Sequence, residues 1–165
     1  MKNLPPVQLS LFSQDDADSI LNPHYTAFEE FMFGAWKDWE SVPVAQRTQL
    51  SPRARAACVY DFIVNRAKTY FSKVKGADLV VRRGLILFGL DGKVLLRFKK
   101  LNKNKKASNI LTNQQIEFSL QRTLPGIPPQ AARLIVGYQL NEVPFAIELG
   151  LSAPHAGSLL FLPLP

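Results

Sequence analysis

Side chains that can attack, bind metal or exchange protons near neutral pH are few in this chain. Its 165 residues include 2 His and 1 Cys, so any site built on them is small. His24 and His155 lie far apart, and neither has the His, Cys or carboxylate neighbours at helical or hairpin spacing that a hydrolytic zinc site needs. Cys58 has no base identifiable beside it and alone can form neither an internal disulfide nor a thiolate metal cage; packing as a small apolar side chain is its simpler use. Gly89-Leu90-Asp91-Gly92-Lys93 ends like a phosphate-binding loop but lacks the spacing, and a hairpin turn at Asp91-Gly92 accounts for it. No catalytic residue, metal ligand or cofactor is expected.

Positive charge is the more pronounced feature. The net charge is +7, but residues 1–50 carry three basic and seven acidic side chains, leaving a strongly basic remainder. Such a body attracts anionic partners: nucleic acid, anionic lipid or an acidic protein. The densest stretch holds Lys93, Arg97, Lys99, Lys100, Lys103, Lys105 and Lys106 without one carboxylate and ends in an Asn/Lys run that reads as an exposed loop. Arg55, Arg66 and Lys73 fall nearly in line on one flank of a predicted helix and could add a basic ridge. These ten residues are the candidate contacts to DNA, RNA or a protein partner. The plain alternative is a solvated strand end, because Phe98 is the one aromatic in the lysine-rich stretch on which a base could stack.

The elements that would position these residues follow from period and caps. Residues 1–22, with Pro5, Pro6 and an acidic DDAD run, read as a flexible tail, and 23–165 as a single folded domain. Thr26 can cap a helix with Glu29 reaching back, and Phe28, Phe31, Met32, Ala35, Trp36 and Trp39 then recur at helical spacing as a core stripe. Ser51-Pro52 starts a second helix, with Ala56, Tyr60, Ile63, Val64, Ala67, Tyr70 and Phe71 on its buried face. Thr112 and Gln115 start a third, which Pro125-Gly126 stops.

From Leu85 the period becomes two. A turn at Asp91-Gly92 pairs Leu90 with Lys93, so Leu85, Leu87, Val94, Leu96 and Phe98 share an apolar face, while Ile86, Phe88, Leu90 and Leu95 fall on the other face with Lys93, Arg97 and Lys99, which predicts partial cover by a helix or a partner and an exposed basic end. A short strand near Leu79–Arg82 joins this hairpin. A turn at Asn141-Glu142 forms a second hairpin, setting Leu134, Val136, Tyr138 and Leu140 opposite Leu149, Ile147, Phe145 and Val143, with Arg133, Gln139 and Glu148 on its outer face. Ser158 to Leu162 adds a last strand. The expected class is α+β: a mainly antiparallel sheet built from two hairpins and packed against about three helices.

Three resemblances bear on function. Gln8-Leu9-Ser10-Leu11-Phe12 resembles the QL(S/D)LF pentapeptide by which many bacterial replication, repair and regulatory proteins dock on the DNA polymerase sliding clamp. The likeness implies that Gln8 hydrogen-bonds at the rim of a groove, Leu11 and Phe12 fill its apolar pocket, Leu9 packs alongside, and Ser10 takes the variable place. The alternative use of Leu9, Leu11 and Phe12 is an edge strand folded back on the domain. The stretches LLRFKKLN and LPGIPPQAARLIVGYQLNE look like an uncharacterised bacterial family of mobile-element, toxin–antitoxin or defence-type operons, implying a cognate operon-encoded partner for which a surface Ile86, Phe88 and Leu90 would serve. The order helix, three strands, helix, strand resembles a class of metal-dependent nucleases. That class needs carboxylates on the central hairpin and a nearby lysine, for which Asp78, Asp91 and Lys99 are the available residues. The strand Lys93 to Leu101 has no acid, so such a site is incomplete.

With 47% hydrophobic residues, 11 Phe, 2 Trp and 4 Tyr, the chain can build a dense core, which rules out wholesale disorder. No apolar run approaches the ~20 residues that span a bilayer, and MKNLPPVQLSLF lacks a small-residue cleavage site. The expectation is therefore a cytoplasmic, non-enzymatic protein with no membrane partner, whose tail binds the sliding clamp and whose basic body contacts nucleic acid or protein.

Overall fold

The computed structural model describes residues 14–82, 84–102, 131–140, 149–152 and 159–162. The pentapeptide Gln8–Phe12, Lys103, Lys105, Lys106, His155, the helix expected from Thr112 and the turn expected at Asn141-Glu142 lie outside them.

The chain is already helical in part of the stretch read as a tail. Helix α1 runs Gln14–Leu21, with Asp15 and Asp16 in its first turn, where carboxylates favour the positive helix end. Ala17 and Leu21, one helical turn apart, are both buried in the main core. The folded body therefore starts at least as early as Gln14, not near Asn22; within the DDAD run Asp15 and Asp16 are exposed while Ala17 turns into the core. A 3-10 turn, Asn22–His24, then leads into α2, Tyr25–Ser41. Continuation from that turn displaces the expected capping box. His24 occupies the cap without a side-chain hydrogen bond, and Thr26 sits inside the helix. Of the expected stripe Phe28, Phe31, Met32, Ala35 and Trp39 are buried, while Trp36 is half-buried against the core.

Val42 turns extended before Pro43, a short helix α3 covers Val44–Arg47, and α4 spans Pro52–Phe71. The start of α4 is local chemistry: Ser51 Oγ accepts from the Ala54 N–H at 3.2 Å, and Pro52 stands where its missing N–H costs nothing. Replacing Ser51 with Ala is expected to lower stability by about 1 kcal/mol, read as a lower urea midpoint with unchanged slope. Val59, Ile63, Val64, Ala67 and Phe71 are buried on α4, whereas Ala56, Tyr60 and Tyr70 are only half-buried. Helices α2 and α4 pack side by side, and α4 also contacts the sheet.

The strands are β1 (Ala77–Arg82), β2 (Leu85–Leu90), β3 (Val94–Lys100), β4 (Ala132–Tyr138), β5 (Leu149–Ser152) and β6 (Leu159–Leu162), ordered in the sheet as in sequence. The fold is α+β, but the sheet is mixed: β3 and β4 run parallel, and every other neighbouring pair is antiparallel. Parallel neighbours cannot be joined by a tight turn, so the two β3–β4 partners do not form a hairpin.

Asp91 and Gly92 form the expected turn, with φ of 50° and 65° and the Lys93 N–H donating to the Leu90 carbonyl at 2.9 Å. The register beyond it differs by one residue. Leu90 pairs with Val94, and Phe88 with Leu96, because the Lys93 carbonyl is taken by the Ala132 N–H of the β4 side at 2.8 Å and Lys93 drops out of the β2 ladder. A one-residue slip exchanges the faces of β2 relative to β3. Phe88 and Leu90 consequently join Val94, Leu96 and Phe98 beneath the helices, and the half-buried Ile86 packs against the same core. They are not a surface awaiting a partner. Phe28, Phe31, Phe71, Phe88 and Phe98 form its centre, with Phe71–Phe88 and Phe88–Phe98 ring centroids 5.2 and 5.7 Å apart.

The opposite face of the sheet is also buried. Leu85, Leu87, Leu95, Ala131 and Ile135 form a second cluster, and Arg133, expected on an outer polar face, is only 2% exposed. On β4, Leu134, Val136 and Tyr138 face the helices as expected. Their partner is shifted: Val136 pairs with Leu151 and Gly137 with Gly150, four residues from the expected register of Leu134 with Leu149. An even shift preserves the faces because strand side chains alternate with period two.

Candidate nucleic-acid interface

The basic residues singled out from sequence divide between two sides of the molecule. On the helix layer, Arg55, Arg66 and Lys73 all lie on or just after α4, but their environments differ. Arg66 is committed to Asp38 of α2, with Nε at 3.1 Å and Nη2 at 2.7 Å from Oδ2. Gly34 makes this possible: a Cβ there would lie 2.5 Å from the Arg66 Cζ, so only glycine lets the guanidinium lie flat across α2. The pair engages Arg66 with a carboxylate while leaving its side chain 40% exposed. Lys73 is exposed beyond the helix end, and Arg55 is half-buried at the other end.

In the sheet, Lys93 is exposed on the turn and Lys100 at the end of β3, while Arg97 and Lys99 are half-buried. Alternation with Phe98 puts Arg97 and Lys99 on the face away from the helices, one strand from the buried Arg133. Arg97, Lys99 and Arg133 each have an interacting neighbour. The described part of the lysine-rich stretch is, as expected, mostly a strand, with its alternate cations partly enclosed, and the Asn/Lys run read as an exposed loop lies from Lys103 on outside the described residues. Burial lowers the Lys99 pKa to about 8, and the positive charge of Arg97 pushes in the same direction. The unfolded chain keeps this proton up to about pH 10.5 while the folded chain releases it near 8, so stability contributed at this position rises with pH across that window. Lys99→Met is expected to remove that rise, seen as parent and variant thermal midpoints that converge with, or cross over, increasing pH.

The residues considered for catalysis are placed separately. Asp78 pairs with Gly89, which pairs with Leu95; Lys99 lies four residues further along β3, about 13 Å at strand rise. Asp91 is at the turn, its N–H donating to the Gly76 carbonyl at 2.8 Å. Among the described residues no group of three His, Cys, Asp or Glu side chains could hold a metal ion. His24 is tied into the core rim, Nδ1 lying 2.9 Å from the Tyr70 hydroxyl, and burial lowers its pKa against the opposing pull of Asp91. Tyr25 donates to Asp18 Oδ1 at 3.0 Å; burial first, then this carboxylate, raises its pKa. Cys58 is a half-buried thiol on α4. Among the described residues no helix is long and apolar enough to cross a membrane.

One feature of the helix layer had not been singled out from sequence. Between α3 and the start of α4 is an open cavity of about 320 Å³ whose walls include Arg47 and Arg55 together with Trp39, Thr48, Leu50 and Ser51. Arg55 was recognised as a ridge residue, but Arg47 was missed. The available signal was two arginines, Arg53 and Arg55, at a helix start where acids are favoured.

Comparison of the chain with protein-family models, with curated proteins and with solved structures finds no match.

Proposed function

We propose that this chain is a non-enzymatic accessory or regulatory protein that docks on the bacterial DNA sliding clamp through Gln8-Leu9-Ser10-Leu11-Phe12 and presents a basic α+β body to nearby nucleic acid. The observation that carries the reading is the pentapeptide, in which all five residues agree with the clamp-docking pattern. Its attachment supports the same use. Ser13 alone separates Phe12 from α1, and α1 is held to the body by Ala17, Leu21 and the Asp18–Tyr25 hydrogen bond. A groove that captures the pentapeptide is thereby brought close to the body, without a long linker to dilute the second contact.

The body supplies Lys73, Lys93 and Lys100 as exposed cations, consistent with electrostatic contact to phosphates. Because clamp partners compete for one groove, docking would either recruit this body to DNA or displace other clamp users. The test is binding of purified bacterial sliding clamp to the parent chain and to a Leu11→Ala, Phe12→Ala variant. No binding by the parent, or equal binding by the variant, overturns the reading.

A further inference from the structure

We infer that the cavity between α3 and α4 is a phosphate-binding site, in which Arg47 and Arg55 grip a phosphate group of a nucleotide or of a nucleic-acid strand. The inference goes beyond the clamp reading and does not rest on it. Three observations carry it. The cavity, about 320 Å³, is within the size range of small-ligand sites and far larger than one phosphate needs. Among the described residues no carboxylate lines it, so Arg47 and Arg55 share its wall without a neutralising acid. Among the described residues the Nε atoms of both arginines have no hydrogen-bond partner, and because they are closed off from water an anion in the open cavity would be met by the terminal Nη groups.

An arginine can meet an oxyanion with the parallel N–H groups of its two terminal nitrogens, without using Nε. Arg66 provides the internal contrast: the same side chain on the same helix has its carboxylate, Asp38, in place. Among the described residues Arg47 and Arg55 have none, and both line a space that an anion can enter. The local sequence also works against its own helix. The first turn of α4 has no acidic residue and carries Arg53 within it, with Arg55 just behind, so the positive helix end is left uncompensated. Local choices that oppose the fold in this way are expected where a site needs them. A phosphate answers all of these at once. Trp39 and Leu50 add an apolar wall, which suits a phosphate carried on an organic group better than inorganic phosphate alone.

The test uses the full chain at low ionic strength, titrated separately with inorganic phosphate, a 5′-mononucleotide, a 5′-phosphorylated single-stranded oligonucleotide and a glutamate-rich peptide. Binding is followed by calorimetry and by Trp fluorescence, since Trp39 lines the cavity. The variants are Arg47→Gln and Arg55→Gln, with the exposed Lys37→Gln of α2 as control and thermal midpoints to establish folding. A phosphate-bearing probe is expected to bind at least tenfold more weakly to each cavity variant, with Lys37→Gln within twofold of the parent. Comparable mononucleotide and oligonucleotide affinity assigns a free phosphorylated small molecule; oligonucleotide binding alone assigns a strand. Failure of every phosphate probe, equal losses in the control variant, or tighter binding of the acidic peptide overturns the inference.

Discussion

Phe28→Ala is expected to bring the domain close to unfolding at 25 °C. Removing a buried phenyl ring from a packed core costs about 3–5 kcal/mol, because the transfer energy is lost and the surrounding side chains relax only partly into the hole. Whole domains of this size are stable by only about 5–15 kcal/mol. Phe28 is 1% exposed, and its ring packs 6.1–6.4 Å from those of Tyr25, Phe31, Phe71 and Phe98. These are rings from α2, α4 and β3, so one truncation loosens the helix layer from the sheet and the helices from each other. The measurement is urea unfolding followed by far-UV circular dichroism, with a fall in midpoint of about 2 M for a typical urea slope. Phe33, on the same helix but 41% exposed, is the control: its replacement by Ala is expected to change stability by less than about 0.5 kcal/mol. Equal effects at the two positions would refute the placement of the aromatic centre.

The second large effect concerns binding instead of folding. Apolar anchors that fill a pocket typically cost about 2–4 kcal/mol each when cut back to Ala. Losing both Leu11 and Phe12 is therefore expected to weaken clamp binding by about 1000-fold or more, taking a micromolar complex beyond detection by ordinary titration. Stability should be unchanged, and the same variant should retain phosphate binding at Arg47 and Arg55. Conversely, Arg47→Gln should leave clamp docking intact. Two binding activities that fail independently would show that pentapeptide and cavity are separate pieces of equipment.

The parts of the fold legible from sequence are those whose causes are local. The start of α4 is determined by Ser51 and Pro52 within one turn, and the Asp91-Gly92 turn by two residues whose preferred φ is positive. The apolar stripe of α2 needs only helical periodicity. Register and burial were less legible because their causes are distant. The one-residue slip between β2 and β3 follows from Ala132 claiming the Lys93 carbonyl, a contact that no pattern around residue 91 encodes. Arg97, Lys99 and Arg133 read as surface cations because alternation cannot say that the second face of the sheet is covered. The candidate site divides in the same way. Basic residues were visible by type, but only the structure distinguishes Arg66, occupied by Asp38, from Arg55, which shares a cavity with the unsuspected Arg47.

The parallel seam between β3 and β4 also bears on how fast this protein reaches its native state. Strands β1 to β3 meander and can zip up through near neighbours, with α4 immediately upstream to cover them. Strand β4 instead has to find β3 across residues 103–130, and the entropy lost on closing a loop grows with its length. That seam has the largest sequence separation of any neighbouring strand pair in the described sheet, and contacts of large sequence separation slow folding.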